Sequence, residues 1–218
     1  VLDAYEGKII NVHFSLLPKY RGANPVQAAI INGDAVTGIS FILMEEGLDE
    51  GRVLHQEEYK LGGSETTGEL YEELFRLSAN VLPQVIEEYV QDTLEPVEQE
   101  ESEASYYYSP SHPASTYIYK EDAQINWDES VDLIERKIRA FSPWPIAWTT
   151  LGELEQTSAE KLQKKITIKE GIDKDLRIKV YSSSVDKESG RLLPKEVQVA
   201  GKSRVSWDDF VNGYCVRD

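Results

Sequence analysis

The 218-residue chain carries 39 acidic against 23 basic side chains, a net charge of −16, which makes an unfavourable overall field for a nucleic-acid binder. One cysteine and three histidines exclude a disulfide framework and give no metal-ligand spacing, so no metal is expected. With 40% apolar residues but no run near the roughly 20 that a membrane span needs, the composition reads as a soluble, cytoplasmic protein with no membrane contact.

In chain order, Ile9 to Phe14 is a short β-branched and apolar run ending near Pro18, which predicts a buried strand with Asn11 and His13 on one face. Pro25 opens a helix through Val26 to Ile31, and Asn32-Gly33 stops it. Thr37 to Met44 reads as a second strand, Gly47 to Gly51 as a loop, and Arg52 to Tyr59 as a third strand. Leu70, Leu74, Leu77, Val81, Val85 and Tyr89 recur every three or four positions, the pattern of a long amphipathic helix from Thr66 to about Tyr89. Strand, helix, strand, strand, helix is an α/β order, and a mostly parallel sheet is expected from it.

Residues 95–113 are rich in acidic, Ser, Tyr and Pro residues and read as a linker between a domain at 1–94 and another at 114–218. Its Tyr106-Tyr107-Tyr108 run is expected to pack its rings on a neighbouring domain. Asp128 to Phe141 predicts a helix stopped by Pro143 and Pro145. The short segments Lys165–Lys169, Arg177–Tyr181, Glu196–Ala200 and Arg204–Trp207 suggest a small β-barrel. Charge divides along the same line: residues 1–103 hold 6 basic and 21 acidic side chains, and residues 104–218 hold 17 and 18. Between Lys161 and Arg204 the balance reverses to 12 basic against 6 acidic.

The residues that point to chemistry are Asn11, His13 and Asp49. A strand end presents the first two, and the loop after the next strand brings the carboxylate. An amide and an imidazolium can both donate to a carbonyl oxygen as it becomes an oxyanion, while an aspartate orients and charges the histidine, which suits acyl transfer to an amine without a nucleophilic side chain.

Asn11-Val12-His13-Phe14-Ser15-Leu16-Leu17-Pro18, Tyr20-Arg21-Gly22-Ala23-Asn24-Pro25 and Met44-Glu45-Glu46-Gly47-Leu48-Asp49-Glu50-Gly51 closely resemble the signature of the 10-formyltetrahydrofolate-dependent formyltransferases. The resemblance implies that Asn11 and His13 polarise the formyl carbonyl, that Asp49 supports His13 and helps move protons, and that Ser15, Leu16, Leu17 and Pro18 lie against the 10-formyltetrahydrofolate cosubstrate. In the second half, Arg139-Ala140-Phe141-Ser142-Pro143-Trp144-Pro145 and Asp209-Phe210-Val211-Asn212-Gly213 are similar to the C-terminal domain of the methionyl-tRNA formyltransferases. That implies a partial formyltransferase domain of Rossmann-like α/β class followed by an OB-like β-barrel, acting as a monomer on initiator methionyl-tRNA.

Two departures from the family pattern stand out. Ser142 and Ile146 replace its usual Asn and Gly, which reads as a packing variation. The chain opens on Val1 with Met44 as its only methionine, and the family carries roughly 90 further residues ahead of this point, so the chain alone is expected to be inactive. Two other readings stay open: a formyltransferase for a sugar-nucleotide amine, and a non-catalytic RNA-binding remnant.

Overall fold

A computed structural model describes residues 4, 5 and 7–216, and the chain divides into two units, Val1–Tyr119 and Lys120–Asp218. In the first unit β1 (Ile10–His13), β2 (Val36–Leu43) and β3 (Val53–Lys60) form a sheet in the order β1-β2-β3. Both pairings are antiparallel, with Asn11 opposite Ile42 and His13 opposite Ser40. The expected parallel sheet is therefore corrected. Hydrophobic periodicity reports which face of a strand is buried, and that face is the same whichever way the neighbour runs.

Helix α1 (Pro25–Asn32) starts on its proline and ends on Gly33, whose left-handed backbone, φ 71°, closes the C-terminus. Helix α2 (Thr67–Val90) starts on a capping box in which Thr66 accepts from the Glu69 N–H and the Glu69 carboxylate accepts from Thr66. Its Leu70, Leu74 and Val85 are buried, as are Ile39, Phe41 and Leu43 of β2. Each such apolar side chain contributes about 1.5–3 kcal/mol by leaving water. This core is the platform that holds the end of β1.

The second unit carries α3 (Val131–Ala140), β4 (Ala147–Thr150), α4 (Leu151–Lys161), β5 (Arg177–Val185), β6 (Leu192–Val199), β7 (Val205–Ser206) and α5 (Trp207–Tyr214). Its sheet is antiparallel in the order β4-β5-β6-β7, and no pairing among the described residues closes it into a barrel. Lys165–Lys169, expected as a strand, makes only an isolated bridge from Ile168 to Cys215. The predicted last strand keeps two residues before α5 takes over at Trp207. Ile146 has φ 70° and is buried, so it is a backbone feature and not the simple packing variation expected from sequence.

Candidate functional site

Alternation along β1 puts Asn11 and His13 on the same side, and the β2–β3 loop returns Asp49 to them. Asn11 Nδ2 donates to Asp49 Oδ1 at 3.4 Å, and His13 Nδ1 stands 3.5 Å from Asp49 Oδ2. Asp49 itself has φ 56°, a left-handed conformation that aspartate tolerates better than most residues. The Gly22 N–H donates to Oδ2 at 2.8 Å and fixes the oxygen that faces His13. Gly22 is at φ 99°, and a Cβ there would press on Thr116, so the residue that approaches Asp49 is one that only glycine suits. Sequence reasoning thus named three residues that the structure brings together.

The atom-level roles were not legible beforehand. His13 Nε2 lies 2.9 Å from the Tyr20 carbonyl oxygen, which only accepts, so Nε2 carries a proton. Nδ1 is then the ring atom turned toward Asn11 and Asp49. His13 is 6% exposed. Burial lowers its pKa below the ordinary 6.5, while the Asp49 charge and the bond to Tyr20 pull the other way. The neutral ring presents a lone pair at Nδ1, and protonation places an N–H there beside a carboxylate.

The Ser15–Pro18 turn is stapled from β2 and β3. Ser40 Oγ donates to the Ser15 carbonyl at 2.7 Å and accepts from the Leu17 N–H at 3.0 Å. Gln56 Nε2 donates to the Leu17 carbonyl and to Ser40 Oγ, each at 2.8 Å. Ser15 and Leu17 are buried, whereas Leu16 and Pro18 are half-buried. Tyr20 is tied at its ring by Asp34, to which its hydroxyl donates at 2.8 Å. Burial first, and Asp34 second, push that phenol up to about 12.

Residues that sequence reasoning passed over complete the surroundings. Arg21, 2% exposed, donates from Nη1 to Glu101 at 2.9 Å and from Nε to Gln99 Oε1 at 3.1 Å. Its own N–H donates to the Ser105 carbonyl at 2.9 Å. Gln99 Nε2 donates to the carbonyls of Asp49 and Gly51, each at 2.8 Å. The segment read as a linker is thereby held against the site loops, and Tyr106 stacks on Tyr108 with centroids 5.8 Å apart. Only the Arg-Gly pair following the motif hinted at this, since an acidic, Ser-rich stretch has the composition of a solvated linker.

A family model described as formyl transferase matches residues 1–86, and one described as formyl transferase, C-terminal domain, matches residues 117–215. The methionyl-tRNA formyltransferase of Roseobacter denitrificans is 36% identical over 218 residues, covering all of this chain and 67% of that protein. That of Nitrosococcus oceani is 36% identical over 212 residues, 94% of this chain and 61% of its own length. The chain therefore spans about two thirds or less of these relatives. Among solved structures, the methionyl-tRNA formyltransferase from Clostridium thermocellum aligns with a TM-score of 0.55 and 22% identity over 87% of this chain and 67% of its own. A sugar 3N-formyl transferase solved with dTDP and 5-N-formyl-THF aligns with a TM-score of 0.56 and 18% identity over 90% and 66%.

Proposed function

Since the chain belongs to the formyl transferase family, we propose that it transfers a formyl group from 10-formyltetrahydrofolate to the α-amine of methionyl-initiator tRNA. The observation that carries this reading is the convergence of Asn11 Nδ2, His13 Nδ1 and the Asp49 carboxylate at the end of β1. A formyl oxygen seated there accepts from the Asn11 amide while the neutral amine attacks the formyl carbon and passes its proton to the free Nδ1 of neutral His13, whose new N–H becomes the second donor. The new C–N bond forms, the oxyanion is held by these donors, and collapse breaks the bond to the folate N10. The proton lost by the amine reaches N10 by way of His13 and Asp49.

Leu16, Pro18 and the turn backbone at Ser15 and Leu17 are the groups we assign to the folate. Ser15 and Leu17 act through the turn they fold, because their side chains point into the protein. We read the second unit as OB-like, a view supported by the bridges from Gln124 to Trp148 and from Leu162 to Leu192 at its sheet margins. The choice of a tRNA amine over a sugar-nucleotide amine rests on 36% identity to tRNA enzymes across the whole chain, since the more distant structural likeness speaks only to fold.

The test supplies labelled 10-formyltetrahydrofolate with either charged initiator tRNA or an amino-sugar nucleotide, using the 218 residues and the full reading frame that encodes them. Label on the tRNA alone is expected. Label on the amino-sugar nucleotide alone would overturn the assignment of the acceptor.

A further inference from the structure

The Gln99 side chain spends all of its hydrogen-bonding ends on two loops that are otherwise far apart in sequence. Its oxygen accepts from Arg21 Nε at 3.1 Å, and its nitrogen donates to the Asp49 and Gly51 carbonyls, both at 2.8 Å. Two carbonyl oxygens aimed at one point repel each other unless a donor stands between them, and one amide nitrogen supplies both hydrogens. Asp49 needs such a hold, because its backbone sits at φ 56° in a loop bounded by Gly47 and Gly51.

Arg21 transmits the hold to the other loop. Its neighbour Tyr20 offers the carbonyl that fixes His13 Nε2, and its other neighbour Gly22 offers the N–H that fixes Asp49 Oδ2. Moving Arg21 therefore moves both supports of the His13–Asp49 pair. The guanidinium is anchored in turn by Glu101 and by the Tyr106 hydroxyl at 3.3 Å. Gln99 is anchored two residues after Val97, which exchanges hydrogen bonds of 2.8 Å in both directions with Val53 at the start of β3.

We infer that Gln99, acting through Arg21 and the Asp49 loop, is a positioning residue that sets the distance between Asp49 and His13. The inference rests on the formyl-transfer reading of Asn11, His13 and Asp49. An amide is required at position 99: it must accept at one end and donate twice at the other. Glutamate has the same shape and the wrong atom facing the two carbonyls.

The experiment uses Gln99→Glu and Gln99→Met, with the exposed neighbour Glu98→Gln as the control and Asp49→Ala as a reference. Turnover and KM are measured on the full reading frame, and the His13 imidazole is titrated by NMR in the folded chain. In the Gln99 variants kcat is expected to fall about 10- to 100-fold, the cost of displacing a catalytic group by an ångström or so, with KM for either substrate within about two-fold. In Gln99→Met, which adds no charge, the His13 titration is expected to move to lower pH as the Asp49 carboxylate recedes. Arg21→Lys, which keeps the charge and loses the Nε bond to Gln99, should fall between wild type and Gln99→Glu. Gln99→Met covers the case in which Gln99→Glu fails to fold. Unchanged kcat and an unchanged His13 titration in a folded Gln99 variant would overturn the positioning role. Full turnover in Asp49→Ala would instead overturn the site reading, and the His13 titration would still decide whether Gln99 holds the loop.

Discussion

Asp49 acts on His13 through charge and on Asn11 through a hydrogen bond, so its removal has two separable consequences. On the proposed reading, in which the carboxylate serves the transition state more than the bound substrate, Asp49→Ala is expected to lower turnover about 10²- to 10⁴-fold while leaving folate affinity within a few-fold. Asp49→Asn keeps the shape and removes the charge that raises the His13 pKa, so the acid limb of kcat/KM should move to lower pH. The stability consequence follows from the same group. Burial holds the folded-state pKa of His13 below its unfolded value of 6.5, so the unfolded chain binds more protons in the window between the two. The stability that His13 contributes is complete above pH 6.5 and is lost as pH falls through the lowered value. His13→Gln should flatten this part of the stability profile, and an unchanged slope would show that His13 is not buried in its neutral form.

A second residue-scale prediction concerns Ile146, where backbone and burial oppose each other. A Cβ at φ 70° costs about 1–2 kcal/mol, yet burying the isoleucine side chain returns about 1.5–3 kcal/mol. Both Gly and Ala substitutions lose the burial, but only glycine also relieves the strain. Ile146→Gly is therefore expected to be more stable than Ile146→Ala by about 1 kcal/mol, the reverse of the order expected at Ile138 inside α3, where glycine is the poorer helix residue. Thermal unfolding of the four variants gives the comparison. The wrong order at 146 would mean that its neighbours rearrange to remove the positive φ.

At the scale of elements, the sequence was legible where a face repeats and illegible where direction or partner decides. Leu70, Leu74 and Val85 announced α2, and Ile134 and Ile138 announced α3, because burial leaves a 3.6-residue period. Orientation in β1-β2-β3 left no such trace. Helix α4 did leave one that went unread: Thr150 and Glu153 form a capping box three residues apart, but the apolar stripe behind it is short. Of the site, Asn11, His13 and Asp49 were readable as types at suggestive positions, while Gln99 acts 50 residues from Asp49 through a segment of linker composition. The loop after β2 carries the element-scale prediction. A Cβ on Gly51 would collide with the Leu43 carbonyl, a backbone atom at the end of β2 that cannot swing aside. Gly51→Ala is expected to cost about 1–3 kcal/mol and to lower kcat further than stability loss accounts for, since Asp49 is two residues away. Wild-type turnover in a folded Gly51→Ala chain would show that the loop reaches its catalytic position by another path.

Across the whole molecule, charge separates the two units. Val1–Tyr119 holds 6 basic and 21 acidic side chains, and Lys120–Asp218 holds 17 and 18, differences of −15 and −1. A polyanion is repelled by the first field, so the proposed tRNA substrate would have to be held by local arrangements in the second. On β5, Ile178 and Val180 are buried while Arg177 and Lys179 are exposed, which turns both cations to one face. On that face Arg177 lies 4.0 Å above the Trp148 ring, and Arg204 lies 3.5 Å from the centre of Tyr181. Cation and ring together offer phosphate contact and a stacking surface. If this face takes the tRNA, Lys179→Ala should weaken binding similarly for initiator and other tRNAs and reduce the slope of log affinity against log salt by about 1, the signature of one lost phosphate contact. Trp148→Ala should weaken binding with the slope retained, because stacking releases no counterions. A salt slope unaltered by Lys179→Ala and Arg177→Ala together would show that this face makes no phosphate contact.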